Sequence, residues 1–190
     1  DAVLVTEFAL GTDQFIKVKC SFKKIKGEYP MLMRFGLQMN INSEYSSLNW
    51  YGRGPWENYN DRKNAALINT YKANAGELWH PYIRPQETAH FTDVRRASFL
   101  NKANKGIEIQ QWNTPFEFNS YPFADDDLYA GETKKQMHGL ELEPKDFINL
   151  HIDKTQMGVG GIDSWGALPL EKYRLPYQDY EFSFLIQVKN

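Results

Sequence analysis

The sequence predicts an all-β fold, an antiparallel sandwich of many short strands. Three observations predict it. Apolar and polar residues alternate with period two along several runs. Glycine and proline punctuate the chain at short intervals. Aromatic residues, which favour strands, make up 15% of the chain. Strands that alternate in this way bury one face and wet the other, and many of them with frequent turns imply two packed sheets. The 190 residues show no repeat, linker or low-complexity stretch, so residues 1–190 read as a single domain. A chain of this length closes a core without disulfides.

The elements follow in chain order. Asp1-Ala2-Val3-Leu4-Val5 is strand-like from the first residue. With no initiator Met or leader before it, the expectation is a fragment of a longer polypeptide. Ile16, Val18, Cys20 and Phe22 alternate with Lys17, Lys19 and Ser21, and Lys23-Lys24-Ile25-Lys26 reads as a solvated strand end or turn. Met31, Met33, Phe35, Leu37, Met39 and Ile41 share one face, with Arg34, Gln38 and Asn40 on the other. Ile107 and Ile109 alternate with Glu108 and Gln110. Ile148, Leu150 and Ile152 alternate with Asn149, His151 and Asp153, which are expected to face water. Tyr180, Phe182, Phe184, Ile186 and Val188 close the chain in the same pattern. Helix is scarce. Asp61 to Ala73 has some helical character, and Asp125-Asp126-Asp127 before Leu128-Tyr129-Ala130 suits the N-terminus of one short helix.

Composition excludes whole classes. Net charge is −2, so there is no basic footprint for nucleic acid. No apolar run is long enough for a membrane helix, and a soluble protein, cytoplasmic or periplasmic, is expected. The single cysteine, Cys20, excludes an internal disulfide and a Cys-based zinc site. Its place in an apolar strand pattern predicts a buried thiol. His80, His90, His138 and His151 have no metal-ligand spacing, and the Asp125–Asp127 run lacks the calcium-loop pattern. No metal is expected in this chain.

Three stretches carry candidate chemistry, each with a structural alternative. In Trp50-Tyr51-Gly52-Arg53-Gly54-Pro55-Trp56-Glu57-Asn58-Tyr59-Asn60-Asp61-Arg62, aromatic and charged residues interleave behind a glycine-proline turn. Such a loop suits polyol recognition, or it is clamped by pairs among Arg53, Glu57, Asp61 and Arg62. His80-Pro81-Tyr82-Ile83-Arg84-Pro85-Gln86-Glu87 and Thr92-Asp93-Val94-Arg95 offer Glu87 with His80 or His90 for acid–base work, or an extended connector. Met157-Gly158-Val159-Gly160-Gly161-Ile162-Asp163-Ser164-Trp165-Gly166 places an indole behind four glycines. That ring is either a flat platform at a loop tip or a residue folded back into the core. No two carboxylates are singled out as a glycosidase pair.

In this order and with these gaps, the three stretches resemble the C-terminal, small-chain domain (domain 5) of the large β-galactosidases of glycoside hydrolase family two, over roughly Pro30 to Lys189. The resemblance implies a large antiparallel supersandwich, similar to galactose mutarotase. It implies that the nucleophile and acid/base glutamates, and the magnesium, belong to a barrel domain elsewhere in the polypeptide, so this chain binds no cofactor and is inactive by itself. It assigns substrate stacking to Trp165, with Asp163 and Ser164 positioning its loop, and leaves Arg53, Glu57, Asp61, Arg62, His80, Glu87, Asp93 and Arg95 as a structural motif. The implied function of the full protein is retaining hydrolysis of terminal β-D-galactosides such as lactose. Its implied partners are the galactoside, the barrel domain of the same chain and, for the full-length enzyme, further copies in a homo-oligomer. The chain departs from the family pattern at Ile162, where an acidic residue is usual, at Thr88-Ala89, where Asn-Gly is frequent, and at His90-Phe91, which replaces a more basic pair. These changes bear on the loops near the site and on substrate preference. Two other readings remain open: a stand-alone mutarotase-like aldose epimerase, and a non-catalytic carbohydrate-binding module.

Overall fold

The computed structural model describes residues 1–11, 14–128, 138–163 and 165–190. Among these residues there are eleven strands: β1 (Ala2–Leu10), β2 (Phe15–Lys24), β3 (Arg34–Asn42), β4 (Ser47–Gly54), β5 (Leu67–Asn74), β6 (His90–Val94), β7 (Arg96–Leu100), β8 (Gly106–Gln111), β9 (Phe116–Tyr121), β10 (Phe147–Gln156) and β11 (Tyr180–Lys189). One short helix, α1 (Asp125–Leu128), starts with the three aspartates. The strands form a seven-stranded sheet in the order β1-β2-β11-β8-β7-β4-β5 and a four-stranded sheet in the order β3-β10-β9-β6. Every pairing is antiparallel. The all-β sandwich is therefore what the alternation predicted.

The core lies between the sheets. Val18, Cys20, Leu48, Trp50, Phe99, Ile109 and Phe184 enter it from the larger sheet, and Phe91, Phe116, Phe118, Ile148, Leu150 and Ile152 from the smaller. The Phe91 and Phe118 rings stack at 5.0 Å, and Trp50 meets Phe91 edge-on at 5.1 Å. Such aromatic pairs add about 0.5–1.5 kcal/mol each beyond the area they bury. The Trp50 indole N–H stays satisfied in this apolar setting by donating to the Arg53 carbonyl at 2.9 Å. Cys20 is fully buried, and burial pushes its thiol above the usual range. A thiol reagent such as DTNB is expected to label Cys20 only after denaturant is added, and equal rates in buffer and denaturant would contradict this packing.

Three expectations need correction. Asp61 to Ala73 is not helical: Leu67–Asn74 is β5, in register with β4 from Leu67↔Gly54 to Asn74↔Ser47. β-Branched and aromatic side chains at Ile68, Thr70 and Tyr71, and a waiting edge of β4, outweigh the weak helical pattern before them. Met33 is 66% exposed, because the ladder of β3 starts one residue later. β1, strand-like as its sequence predicts, is exposed on both faces, with Val3, Leu4, Val5, Phe8 and Leu10 all open. Asn149, His151 and Asp153 do not face water: they are 0%, 4% and 1% exposed. Polar groups on the outer face of the small sheet are covered by the segments around residues 57–62 and 87–90 and by α1, which supply their hydrogen bonds. Tyr129 and Ala130, expected to continue the short helix, lie outside the described residues.

Candidate functional site

The loop that leaves β4 is built on Arg53. Its Nε donates to Asp93 Oδ2 at 2.5 Å and its Nη1 to the Ala66 carbonyl at 2.7 Å, and Lys63 Nζ lies 3.4 Å from the same Asp93 oxygen. Burial alone would raise the Asp93 carboxyl, but Arg53 and Lys63 outweigh it and hold it below its ordinary value. Asp93 has a positive φ of 53°, unusual for a residue with a side chain, and Arg95 Nη1 donates to its carbonyl. Arg95 also covers the Tyr51 ring at 5.7 Å. Glu57 collects four donors: Arg62 Nη2 at 2.7 Å, the Tyr82 hydroxyl, the Ala89 amide at 2.8 Å and the Thr88 hydroxyl at 3.3 Å. The first two candidate stretches thus form one ion-paired framework. Of the pairings foreseen within the loop, Glu57–Arg62 is present, whereas Arg53 reaches Asp93 and Asp61 reaches the glycine loop.

This framework walls a cleft of about 760 Å³ lined by Trp56, Glu57, Arg62, Trp79, His80 and Tyr82, among others. His80 is exposed, its ring edge-on to Tyr82 at 4.5 Å and its backbone N–H bonded to Thr88 Oγ1. Glu87 pairs with neither histidine directly. It accepts from Arg34 at 3.0 Å and from the Asn119 amide, and that Asn119 side chain in turn touches His90.

Behind the framework lies a buried polar network that sequence reading missed. The fully buried His90 sets Nδ1 2.8 Å from Asn119 Oδ1 and Nε2 3.1 Å from Glu117 Oε2. The Asn119 amide nitrogen is committed to Glu87 and the Thr88 carbonyl, so its oxygen faces His90 as an acceptor. Acceptors at both nitrogens favour the doubly protonated ring. Burial alone would lower its pKa, but Glu117 and Glu87 outweigh that and raise it. The ring stacks on Tyr59 at 5.1 Å. Glu117 also accepts from Asn60 Nδ2 at 2.8 Å and from the Gln156 amide at 2.7 Å. Arg34 donates to Glu87, Asn119 and Gln156, and lies 3.5 Å from the buried Asp153. Further along the same face, Asp125 Oδ1 accepts from Asn149 Nδ2 at 2.7 Å and sits 3.1 Å from His151 Nε2. With both nitrogens of His90 engaged and no exposure, its work is to tie the 57–62 loop to the sheet. Strand alternation alone could flag Glu117, Asn119, Asn149, His151 and Asp153, but it does not distinguish a wet polar face from a covered one.

The third stretch is held at its base and open at its tip. The Gly158 amide donates to the Tyr173 carbonyl at 2.8 Å, and the Gly160 amide to Asp61 Oδ2 at 2.7 Å. A Cβ at position 158 would sit 2.4 Å from that carboxylate oxygen, so only glycine allows the approach. At the tip, Asp163 Oδ1 accepts the Trp165 amide at 2.8 Å, and Gly166 adopts φ +97°. Ile162 is 97% and Trp165 93% exposed. Ser164 lies outside the described residues. The structure therefore places the indole outward on a pinned loop, not in the core.

Comparison with known proteins agrees with this architecture. The family model described as "Beta galactosidase small chain" matches residues 3–186. The "Beta-galactosidase" of Priestia megaterium is 38% identical over 146 residues, which is 77% of this chain and 14% of that protein. The "Beta-galactosidase" of Halalkalibacterium halodurans is 34% identical over 175 residues, 90% of this chain and 17% of that protein. The "Beta-galactosidase BgaC" of Bifidobacterium adolescentis is 33% identical over 86% of this chain and 15% of its own length. The chain thus spans only 14–17% of these relatives. With its two antiparallel sheets and its glycine-rich Trp165 loop, the chain belongs to the β-galactosidase small-chain family.

Proposed function

We propose that this domain works within a full-length β-galactosidase that hydrolyses terminal β-D-galactosides such as lactose with retention, through a covalent galactosyl-enzyme. The observation that supports it most is the outward indole of Trp165 on a loop pinned at Gly158 and Gly160. Two catalytic carboxylates come from a barrel domain elsewhere in the polypeptide, as does the magnesium. Among the described residues no three His, Cys, Asp or Glu side chains are arranged to hold an ion. Trp165 binds the sugar or its leaving group through the indole face and takes no part in proton transfer. Asp163 holds the loop tip by capping the Trp165 amide. No helix among the described residues is long and apolar enough to cross a membrane.

In the full-length enzyme, Trp165→Ala is expected to raise KM for lactose. Stacking of roughly 0.5–1.5 kcal/mol corresponds to a change of about two- to tenfold. The value of kcat should fall less than kcat/KM, because the interaction binds ground state and transition state alike. Trp165→Tyr should recover part of the loss. An unchanged KM in Trp165→Ala would remove the role assigned here.

A further inference from the structure

We infer that Asp61 is a positioning residue for the Trp165 loop, and this rests on the stacking role just assigned to that indole. Asp61 lies in the 57–62 loop, 99 residues from its partner Gly160, yet its Oδ2 accepts the Gly160 amide at 2.7 Å. The same oxygen fills the space beside Gly158 and Gly160, where added Cβ atoms would lie 2.4 and 3.0 Å from it. Its other oxygen, Oδ1, is buried and has no hydrogen-bond partner among the described residues. Burying a carboxylate with one oxygen unsatisfied is costly, so local stability does not account for the group. Its geometry does: it closes the gap between two loops that share no ladder among the described residues. The neighbouring Asn60 is fixed to Glu117, Thr155 and the Gln156 carbonyl, all on the small sheet. The Asp61 carboxylate therefore stands on a rigid base and sets the height of the glycine loop, and with it the position of the indole. Nothing in this role needs the negative charge; it needs an acceptor at one point.

The test uses the full-length β-galactosidase with lactose as substrate. Asp61→Ala is expected to raise KM to nearly the level of Trp165→Ala, with kcat within about twofold of the parent. Asp61→Asn keeps an acceptor at the same place and should restore most of the affinity. The double variant Asp61→Ala/Trp165→Ala should show the KM of Trp165→Ala alone, because one residue acts through the other. Gly158→Ala, which pushes the carboxylate aside, should reproduce Asp61→Ala and serves in its place if that variant fails to fold. Amide hydrogen exchange over residues 157–168 reads the anchor apart from the substrate: faster in Asp61→Ala, near the parent rate in Asp61→Asn. Unchanged exchange in Asp61→Ala overturns the inference. So does a KM effect that multiplies with that of Trp165→Ala. If exchange speeds up but Trp165→Ala leaves KM unchanged, the anchor is real and the stacking role falls.

Discussion

Replacing Glu117 by alanine is expected to lower the melting temperature of the chain by on the order of 10 °C. Glu117 is 6% exposed and receives Asn60 Nδ2, the Gln156 amide and the His90 ring. Its removal leaves the buried His90 ring without its carboxylate and the Gln156 amide without that acceptor, while Asn60 keeps Thr155 and the Gln156 carbonyl. Breaking one side of a buried charge pair costs about 3–5 kcal/mol, and for a domain of this size each kcal/mol moves the midpoint by roughly 2–4 °C. Glu117→Gln keeps the shape and one acceptor, and should lie between. Thermal unfolding followed by near-ultraviolet circular dichroism is the measurement. A shift of only a degree or two in Glu117→Ala would mean that the network does not hold the 57–62 loop to the sheet.

The second large effect is a fall in stability as pH rises. Burial pushes Asp153 up to about 6, against the pull of Arg34, His90 and His151. An unfolded carboxyl titrates near 3.9, so between roughly pH 4 and 6 the folded chain holds a proton that the unfolded chain has released. Stability is therefore lost across that interval, by about 3 kcal/mol for a displacement of this size. His90 extends the decline. Its raised folded value means that its contribution is complete below the unfolded value of about 6.5 and disappears as pH climbs through the folded one. Asp125 acts oppositely. Burial would raise it, but His151, Tyr121 and Asn149 pull it down to about 2, so its contribution is present above about pH 3.9 and is lost only in acid. The melting temperature should be higher at pH 5 than at pH 8. Asp153→Asn, which mimics the protonated group, should flatten the part of the profile between pH 4 and 6 and leave the part above 6.5. A parent profile that rises from pH 5 to 8 would contradict the assignment.

The fold was readable because alternation is a backbone property. Val18 and Cys20 in β2, Ile148, Leu150 and Ile152 in β10, and Phe182 and Phe184 in β11 all turn inward as their spacing requires. The outward positions were not readable in the same way. Asn149, His151 and Asp153 look like a wetted face, and only the folding of distant segments over them makes that face an interior. The charged loop showed the same division. Its content of Arg53, Glu57, Asp61 and Arg62 was visible, but their partners Asp93, Tyr82 and Gly160 come from 25 to 99 residues away. Local spacing fixes which groups are present, and tertiary approach fixes whom they meet. Helical character in Asp61–Ala73 misled for a related reason: β4 offers Leu67–Asn74 a ladder that no local signal records.

β1 has a consequence for handling the chain in isolation. It forms one border of the seven-stranded sheet, nine residues long and in unbroken register with β2. Its sequence holds a single charge, Glu7, and neither proline nor lysine. Natural borders of this kind are blunted by charge, kinks or cover, and among the described residues this one has Glu7 alone. Its free amides and carbonyls are a template on which a second polypeptide can add, so the detached domain carries a concentration-dependent route to intermolecular stacking. A lysine in place of Val5 would close that route from within.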